Sequence, residues 1–267
     1  MKYTVVTTFN AKGYETYGRR MINTFLSNWP TNVTLIVYAE GCAVTESAAN
    51  LIVRDLEQVT EMVEFKNRWR NVPKANGDVS HDPVRSRRKD AGKGFKWDAV
   101  RFAHKVYSIF DCAKKSNSDW LLWMDADMVC HSPITVEKLD ELCREDLCFL
   151  GREGKYSECG LYAMNLRSER VKEFLKKFQT YYDYAEEGIF TLDEWHDSYV
   201  FDAVRKQVGM NIVNWSAGLI RGEGHPLINC EWGNYLDHLK GDRKAIGRSK
   251  LKDLLAHPKE GYWSASN

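Results

Sequence analysis

The sequence contains no long uninterrupted run of apolar residues. No window approaches the roughly 18 consecutive apolar residues that a membrane-spanning helix needs, so we expect no membrane span. The chain opens with Met1-Lys2-Tyr3 and enters a β-branched segment at once, without the apolar core of a secretory leader. We therefore expect a cytoplasmic protein.

Paired cysteines and a strong charge of one sign are also lacking. The seven cysteines are scattered, odd in number and without a C-x-x-C pair. This argues against a disulfide framework and a structural zinc site, and it favours a reducing compartment. Lys and Arg together number 38, and Asp and Glu together number 37. That balance argues against a protein built wholly around phosphate backbones, but it leaves a local basic patch open.

What the chain does contain is enough apolar material for a sizeable core. Hydrophobic residues make up 43% of its 267 positions, which excludes a disordered chain. A strand-like segment over 3–9, helical spacing over 14–28 and a second strand-like segment over 33–38 form a strand–helix–strand unit. Such a unit predicts a parallel sheet with a right-handed crossover, and therefore the α/β class. No repeat or compositional break marks a linker, so we expect residues 1–267 to form one domain.

The same patterns predict further elements along the chain. A helix that is apolar nearly all round is predicted over 96–114, followed by a buried central strand over 119–124. A charged loop with several Gly and Pro over 73–94 is typical of a functional or mobile segment, and the chain from 209 onward has an irregular pattern. The remaining predicted elements are helices over 55–72, 135–144, 167–186, 194–207 and, weakly, 248–256, and strands over 147–150 and 160–166.

Asp125-Ala126-Asp127 directly follows the predicted central strand. A D-x-D occurs about once by chance at this aspartate content, so its position matters more than the pattern. Ligands of an open parallel sheet bind beyond the carboxyl ends of the strands. Two unpaired carboxylates at such a place favour a hard divalent cation. The alternative is a polar turn that caps the next helix, helped by Ser132-Pro133.

A second pattern, H-x-x-G-x-x-K, is formed by His238, Gly241 and Lys244. About 0.04 matches are expected by chance for this composition. Imidazole is a good ligand for Mn²⁺ and favours it over Mg²⁺. Glycine lets the backbone approach a diphosphate closely, and lysine supplies a point charge to phosphate oxygens. The alternative is an exposed, charged segment near the C-terminus.

In these two motifs the sequence resembles glycosyltransferases of the GT-A type, above all the retaining glycosyltransferase family 8, which includes glycogenin and bacterial galactosyltransferases. The resemblance covers residues 3–245. It implies a GT-A, Rossmann-like fold with a mixed, mainly parallel sheet flanked by helices. It also implies that Asp125, Asp127 and His238 bind one Mn²⁺ ion, with Mg²⁺ as the second choice.

The resemblance extends to weaker matches elsewhere in the chain. Glu158-Cys159-Gly160 resembles the family's N-[SA]-G segment, and His196-Asp197-Ser198 resembles its D-Q segment. Glu158 and Asp197 are the candidate catalytic carboxylates; the alternative for each is a ligand of a sugar hydroxyl or a helix cap. Glu158 replaces an amide of the family, and Asp197 is followed by serine instead of glutamine. The residues that the resemblance assigns to the donor nucleotide-sugar are Thr8, Phe9, Asn10, Tyr14, Arg101, Asp125, Gly241 and Lys244.

The activity that this resemblance implies is the metal-dependent transfer of a sugar from a nucleoside-diphosphate sugar to an acceptor hydroxyl, with UDP as the expected nucleotide and retention of configuration. The nucleotide would occupy the half formed by about residues 1–127, and the acceptor the half formed by about 128–267. The acceptor stays open between a glycan, a small molecule and modified DNA. Because short relatives also occur in phages, a viral member that acts in the host cytoplasm is one expectation.

The segment 85–105 is rich in basic residues, opposed within it only by Asp90 and Asp98. The basic residues are Arg85, Arg87, Arg88, Lys89, Lys93, Lys96, Arg101 and Lys105. The segment is a solvated loop, a lid over donor phosphates or a track for a nucleic-acid acceptor. Two rival functions also stay open. One is a sugar-1-phosphate nucleotidyltransferase, although residues 10–20 lack its Gly-rich basic loop. The other is a non-catalytic nucleic-acid-binding protein that uses the 85–105 segment.

Overall fold

The computed structural model describes residues 1–219, 224–256 and 261–264. The strands within these ranges are β1 (Tyr3–Asn10), β2 (Thr34–Glu40), β3 (Leu51–Asp55), β4 (Trp120–Met124), β5 (Met128–Cys130), β6 (Leu147–Leu150), β7 (Glu158–Asn165), β8 (Ile212–Asn214) and β9 (Leu236–His238). The α-helices are α1 (Ala11–Gly13), α2 (Arg19–Asn28), α3 (Thr60–Trp69), α4 (Ala99–Lys115), α5 (Val136–Leu142), α6 (Glu169–Asp183), α7 (Asp197–Arg205) and α8 (Arg243–Ile246). No helix in this part of the chain is long and apolar enough to cross a membrane.

Seven of the described strands form one mixed sheet, in the order β3-β2-β1-β4-β7-β6-β8. Strands β3, β2, β1 and β4 run parallel, β7 pairs antiparallel with both β4 and β6, and β8 pairs parallel with β6. A separate ribbon joins β5 antiparallel to β9. The predicted α/β class, with a mixed and mainly parallel sheet flanked by helices, is confirmed.

Alternation of side chains along β1 supplies two hydrophobic cores. Val6 packs into a core shared with α3, α4, α6 and α7, whereas Val5 and Phe9 pack into a second core with α2, α5 and the C-terminal segment. Because helices cover both faces of the sheet, its central strands are apolar throughout, and every residue of β4 is buried. The parallel strands β1 and β4 therefore present their carboxyl ends at one edge of a well-packed sheet.

The first helix begins at Ala11, three residues earlier than predicted. The Asn10 side chain accepts a hydrogen bond from the Gly13 N–H and so caps the helix directly at the end of β1. Between α1 and α2 the helix contains a π-helical turn, Tyr14–Gly18, which changes the direction in which the following side chains point compared with a regular α-helix.

The other differences lie at a sheet edge and in the C-terminal part. Edge strand β3 falls in a stretch for which no element was predicted, and the helix predicted over 55–72 is confined to α3, preceded by a 3₁₀ turn at Leu56–Gln58. The chain after 209 is not simply irregular, since it adds β8 to the sheet and β9 to the ribbon. Only a 3₁₀ turn at Leu251–Asp253 stands where a helix was predicted near 248–256.

Candidate functional site

The two sequence motifs meet at the carboxyl end of β4. Asp125 and Asp127 follow that strand directly, and the β5–β9 ribbon places His238 opposite Met128. The Nε2 atom of His238 lies 3.1 Å from an Asp127 carboxylate oxygen and 3.6 Å from an Asp125 oxygen. Asp127 and His238 are 111 positions apart in the sequence. One potential ligand atom from each of the three side chains lies within 4.8 Å of the others.

This donor set fits a divalent cation. Two carboxylates and an imidazole are ligands that suit Mn²⁺. Burial raises the pKa of Asp125. In Asp127 the effect of burial is outweighed by His238 and Lys244, which hold the pKa of its carboxyl below the ordinary value. A cation between the two carboxylates would remove the repulsion that arises when like charges share a partly buried site.

Gly160 on β7 leaves the space that the His238 ring occupies. A Cβ atom at this position would lie 2.4 Å from Cε1 of His238, closer than two carbon atoms can approach without a shift. The ring has no free surface to move to, because His238 is 1% exposed. The Gly160 carbonyl also accepts the Asp125 N–H at 2.8 Å. One glycine therefore holds the start of the D-x-D segment and admits the imidazole.

A cavity of about 230 Å³ opens beside the three potential ligands, between the end of β1 and helix α4. We call it the donor cavity. Besides the two motif aspartates, its lining includes Thr8, Phe9, Asn10, Arg101 and Lys244, all of which the resemblance assigns to the donor. The Nζ atom of Lys244 lies 2.9 Å from an Asp127 oxygen. Six of the eight predicted donor residues therefore line one opening next to the D-x-D segment.

Two predicted donor residues lie elsewhere. Tyr14 is 2% exposed and stacks on Phe9 with the ring centroids 5.4 Å apart, and Tyr17 lines the donor cavity in its place. Gly241 is not part of the cavity lining; it lies in the turn after β9 with φ of 62°. This left-handed conformation favours glycine, so Gly241 shapes the turn that carries the lysine of the motif.

A buried lysine from the basic segment lies at the centre of the site. The Nζ atom of Lys105 is 2.6 Å from Asp197 and 3.2 Å from Asp125, and it also donates to the Cys159 carbonyl. Burial alone would lower the pKa of Lys105, but the two carboxylates raise it well above the ordinary value. Sequence reasoning gave this residue no role of its own. The available signal was a lysine within a helix predicted to be apolar nearly all round, where it must find a partner.

A second cavity, of about 320 Å³, lies on the other side of Lys105, and we call it the inner cavity. Both candidate catalytic carboxylates, Asp197 and Glu158, line it. Aromatic rings form much of the remaining wall, namely those of Phe95, Phe102, Tyr156 and His196. A small cavity with a few placed polar groups among ring faces is typical of a small-molecule site. The donor and inner cavities share Phe102, Lys105 and Asp125.

Glu158 is only 4% exposed and is surrounded by positive charge. The Nζ atom of Lys240 lies 2.6 Å from each of its carboxylate oxygens, and Arg152 is 3.5 Å from one of them. Burial alone would raise the pKa of Glu158, but the Lys240 ammonium group, with a smaller contribution from Arg152, holds it well below the ordinary value. Glu158 is therefore a buried, charged carboxylate whose main partner is the half-exposed Lys240.

Glu158, His225 and His238 form a second group of potential metal ligands, with one atom of each within 4.8 Å of the others. Two observations argue against a metal ion at this place. The Lys240 ammonium group already contacts both carboxylate oxygens. The Nδ1 atom of His225 accepts the Leu227 N–H at 3.3 Å, which leaves the proton on Nε2, the nitrogen that faces Glu158. Burial lowers the pKa of His225 to about 3, so its ring is neutral. Sequence reasoning missed this histidine.

The eight basic residues of the 85–105 segment divide into two groups. Four of them form ion pairs: Arg85 with Asp82, Arg88 and Lys96 with Glu194, and Lys105 as described above. The other four are exposed and have no ion pair with any described residue: Arg87, Lys89, Lys93 and Arg101. Glu194 thus fastens the segment to the turn before α7, and Phe95 of the segment reaches the inner cavity. The 85–105 segment is therefore not simply a solvated loop, because it is held by ion pairs with Glu194 and forms part of the wall of the inner cavity.

Comparison with known proteins gives likenesses of structure only. No protein-family model matches the sequence, and no curated protein matches it. Among solved structures, the chain is similar to the apo form of the glycosyltransferase GlyE of Streptococcus pneumoniae, with 12% identity and a TM-score of 0.47 over 80% of this chain and 45% of GlyE. It is also similar to the apo form of mouse xyloside xylosyltransferase 1, with 11% identity and a TM-score of 0.44 over 80% of this chain and 85% of the mouse chain. The matched region thus spans less than half of the GlyE chain.

Proposed function

We propose that the protein is a metal-dependent glycosyltransferase that moves a sugar from a nucleoside-diphosphate sugar, with UDP as the nucleotide, to an acceptor hydroxyl with retention of configuration. The convergence of Asp125, Asp127 and His238 on one point carries the proposal. Two adjoining cavities support it, because a donor has a nucleoside at one end and a sugar at the other. The cavities meet at Asp125 and Lys105, which is where a diphosphate between nucleoside and sugar would lie.

In this proposal Asp125, Asp127 and His238 would hold Mn²⁺, with Mg²⁺ as the second choice, and the ion would supply positive charge against the diphosphate leaving group. Lys244 and Arg101 add positive charge at the phosphates. Both line the donor cavity, together with the residues at the end of β1 that we assign to the nucleoside. The nucleotide therefore lies over the carboxyl ends of the parallel strands, as expected for an open α/β sheet.

Asp197 is the carboxylate that we assign to the transferred sugar. Lys105 holds it by an ion pair of 2.6 Å at the wall of the inner cavity. An ionised carboxylate beside the anomeric carbon stabilises the positive charge that develops there as the diphosphate leaves. Glu158, the second candidate, lines the same cavity, but Lys240 and Arg152 leave it less free to accept a proton. Retention requires no strong base in this arrangement.

We assign the acceptor to a larger cavity of about 910 Å³ that adjoins the inner cavity at Arg152 and Tyr156. A glycan or a small molecule is the first choice for its occupant. Modified DNA is the alternative, favoured by the four exposed cations of the 85–105 segment. DNA binding that weakens steeply with salt supports this alternative, and binding that ignores salt excludes it.

The two rival functions fit the described residues less well. A sugar-1-phosphate nucleotidyltransferase needs a Gly-rich basic loop after its first strand, but helix α1 begins at Ala11 immediately after β1. A non-catalytic nucleic-acid-binding protein has no use for a charged cluster that links two aspartates to a distant histidine. Formation of pyrophosphate from a nucleoside triphosphate and a sugar phosphate would overturn our choice in favour of the first rival.

A thermal-shift experiment tests the proposal. We expect UDP to raise the melting temperature only when Mn²⁺ is present, because ligand binding to the folded state stabilises it by about 2.7 kcal/mol at a hundredfold excess over Kd. Asp127→Asn and His238→Asn should abolish this shift, whereas His81→Asn, at an exposed histidine, should retain it. A UDP shift that survives EDTA or Asp127→Asn contradicts the proposal. Mass spectrometry with several UDP-sugars then identifies the sugar.

A further inference from the structure

We infer that Glu158 is a positioning residue for His238: it accepts the Nδ1–H of that imidazole and so turns Nε2 toward the metal. This inference rests on the proposed function, because it gives the metal-binding histidine a partner within the protein. The positioning residue, Glu158, lies outside the H-x-x-G-x-x-K and D-x-D motifs.

The orientation of His238 defines what its partner must do. Its Nε2 atom faces Asp127 at 3.1 Å and Asp125 at 3.6 Å, so Nε2 must offer its lone pair to a cation bound there. A neutral imidazole then carries its proton on Nδ1. That nitrogen is buried and has no hydrogen-bond partner among the described residues. A buried donor without a partner is costly, and it points to a bond that forms when the site is loaded.

Glu158 supplies the nearest carboxylate for this proton. Its Oε1 atom lies 3.8 Å from Nδ1 of His238, about one ångström longer than an N–H···O hydrogen bond. In the structure the carboxylate is drawn to Lys240, which contacts both oxygens at 2.6 Å. Lys240 is 43% exposed on its side chain, so it can release one oxygen at little cost. A small shift of Glu158 then closes the bond to His238.

The ring of His225 faces the other side of the carboxylate. Because its Nδ1 accepts a backbone N–H, its Nε2 carries the proton, and Nε2 lies 3.7 Å from Oε2 of Glu158. Its ring also packs edge-on against the His238 ring, with centroids 5.0 Å apart. Two imidazole N–H groups thus face one carboxylate from neighbouring directions. Carboxylate–histidine–metal arrangements fix the tautomer of the ligand and raise its basicity.

The effect to measure is the affinity for Mn²⁺ in the absence of nucleotide. Loss of such an outer partner lowers metal affinity by about 10- to 100-fold. We therefore expect Glu158→Gln to weaken Mn²⁺ binding by about tenfold, because the amide keeps the shape but not the charge. Glu173→Gln, the same change at an exposed position of α6, should leave the affinity unchanged.

Lys240→Met separates positioning from a merely structural ion pair. If Glu158 matters only as the ion-pair partner of Lys240, Glu158→Gln and Lys240→Met must lose Mn²⁺ affinity to the same extent. If Glu158 positions His238, removal of the competing ammonium group frees the carboxylate, and Mn²⁺ affinity is kept or rises. Free Mn²⁺ is quantified by its EPR signal during titration of each protein with the metal.

The outcomes are distinct. A wild-type protein that binds no Mn²⁺ overturns the proposed function and, with it, this inference. If the wild type binds Mn²⁺ and Glu158→Gln binds it equally well, the inference alone is overturned. The inference alone is also overturned if Lys240→Met loses as much Mn²⁺ affinity as Glu158→Gln. If Glu158→Gln does not fold, pulsed EPR of Cu²⁺ loaded into the wild type and Lys240→Met decides. The signal of the His238 Nδ1 atom must then report a stronger hydrogen bond in Lys240→Met than in the wild type. A signal that is the same in both proteins overturns the inference.

Discussion

Replacing Lys105 by methionine removes a buried positive charge from the centre of the site. Methionine keeps much of the length and volume of the side chain but removes the ammonium group that lies 2.6 Å from Asp197 and 3.2 Å from Asp125. Breaking a buried ion pair by removing one partner costs about 3 to 5 kcal/mol, because the other charge stays buried without compensation. For a chain of this size that corresponds to a loss of about 10 °C in melting temperature.

The pH dependence of this loss follows from Asp125. Burial already raises the pKa of its carboxyl, and we expect a further rise when the Lys105 ammonium group, which opposes that effect, is removed. A carboxyl with a raised folded-state pKa destabilises the fold at high pH, where the unfolded chain ionises more readily. The penalty disappears as the pH falls toward the unfolded value of about 4. The difference between variant and wild type should therefore be large at pH 8 and small near pH 4.5.

Urea unfolding followed by circular dichroism at the two pH values measures this difference. Lys176→Met is the matched control, because Lys176 is an exposed lysine of α6, and it should cost less than about 0.5 kcal/mol. Mn²⁺ should restore part of the lost stability in Lys105→Met, since the ion supplies positive charge to Asp125. A cost below about 1 kcal/mol, or one that stays the same from pH 8 to pH 4.5, refutes the reasoning.

Three further outcomes are expected. Gly160→Ala should lower Mn²⁺ affinity by at least about tenfold while the fold is retained, because the new Cβ atom would displace the His238 imidazole. Gly209→Ala, at a glycine with open space around it, should leave the affinity unchanged. Equal affinities of the two variants in an EPR titration would exclude a steric role for Gly160. Trp123→Phe should reduce the quenching of tryptophan fluorescence by Mn²⁺, because the Trp123 indole N–H donates to a D-x-D carboxylate at 2.7 Å; quenching of wild-type size would place the ion elsewhere. Glu194→Gln should speed tryptic cleavage within the 85–105 segment by about tenfold relative to Glu173→Gln, because the ion pairs of Glu194 with Arg88 and Lys96 are weakened. An unchanged rate of cleavage would show that other contacts hold the segment in place.

Local patterns predicted the fold well wherever they were strong. The segment 3–9 became β1 and the segment 119–124 became β4, because both are apolar and buried on two faces. Edge strand β3 was not predicted, since Ile52 and Val53 are each more than 40% exposed and give no burial pattern. The short strands β5 and β9 depend on pairing across more than a hundred positions, which no local window contains.

The candidate site was predictable in part, for a chemical reason. Asp125, Asp127 and His238 could be named because their residue types match one metal's preferences and their order matches a known pattern. Lys105 and His225 could not, since what brings them to the site is burial and the packing of distant segments rather than a spacing. Tyr14 was assigned to the donor because it lies close to β1 in the sequence. In the structure it belongs to the π-helical turn that follows the capped helix start, and its ring is buried against Phe9.

Through the ribbon of β5 and β9, the cluster of candidate metal ligands depends on a pairing between distant parts of the chain. The pairing of Met128 with His238 closes a loop of more than a hundred residues, and loops of that length form slowly compared with local contacts. A nascent chain can complete β1, β2 and β4 and still lack the imidazole that completes the ligand set. In the proposed function, Mn²⁺ therefore binds only to molecules whose C-terminal part has docked, and partly folded molecules stay without the ion.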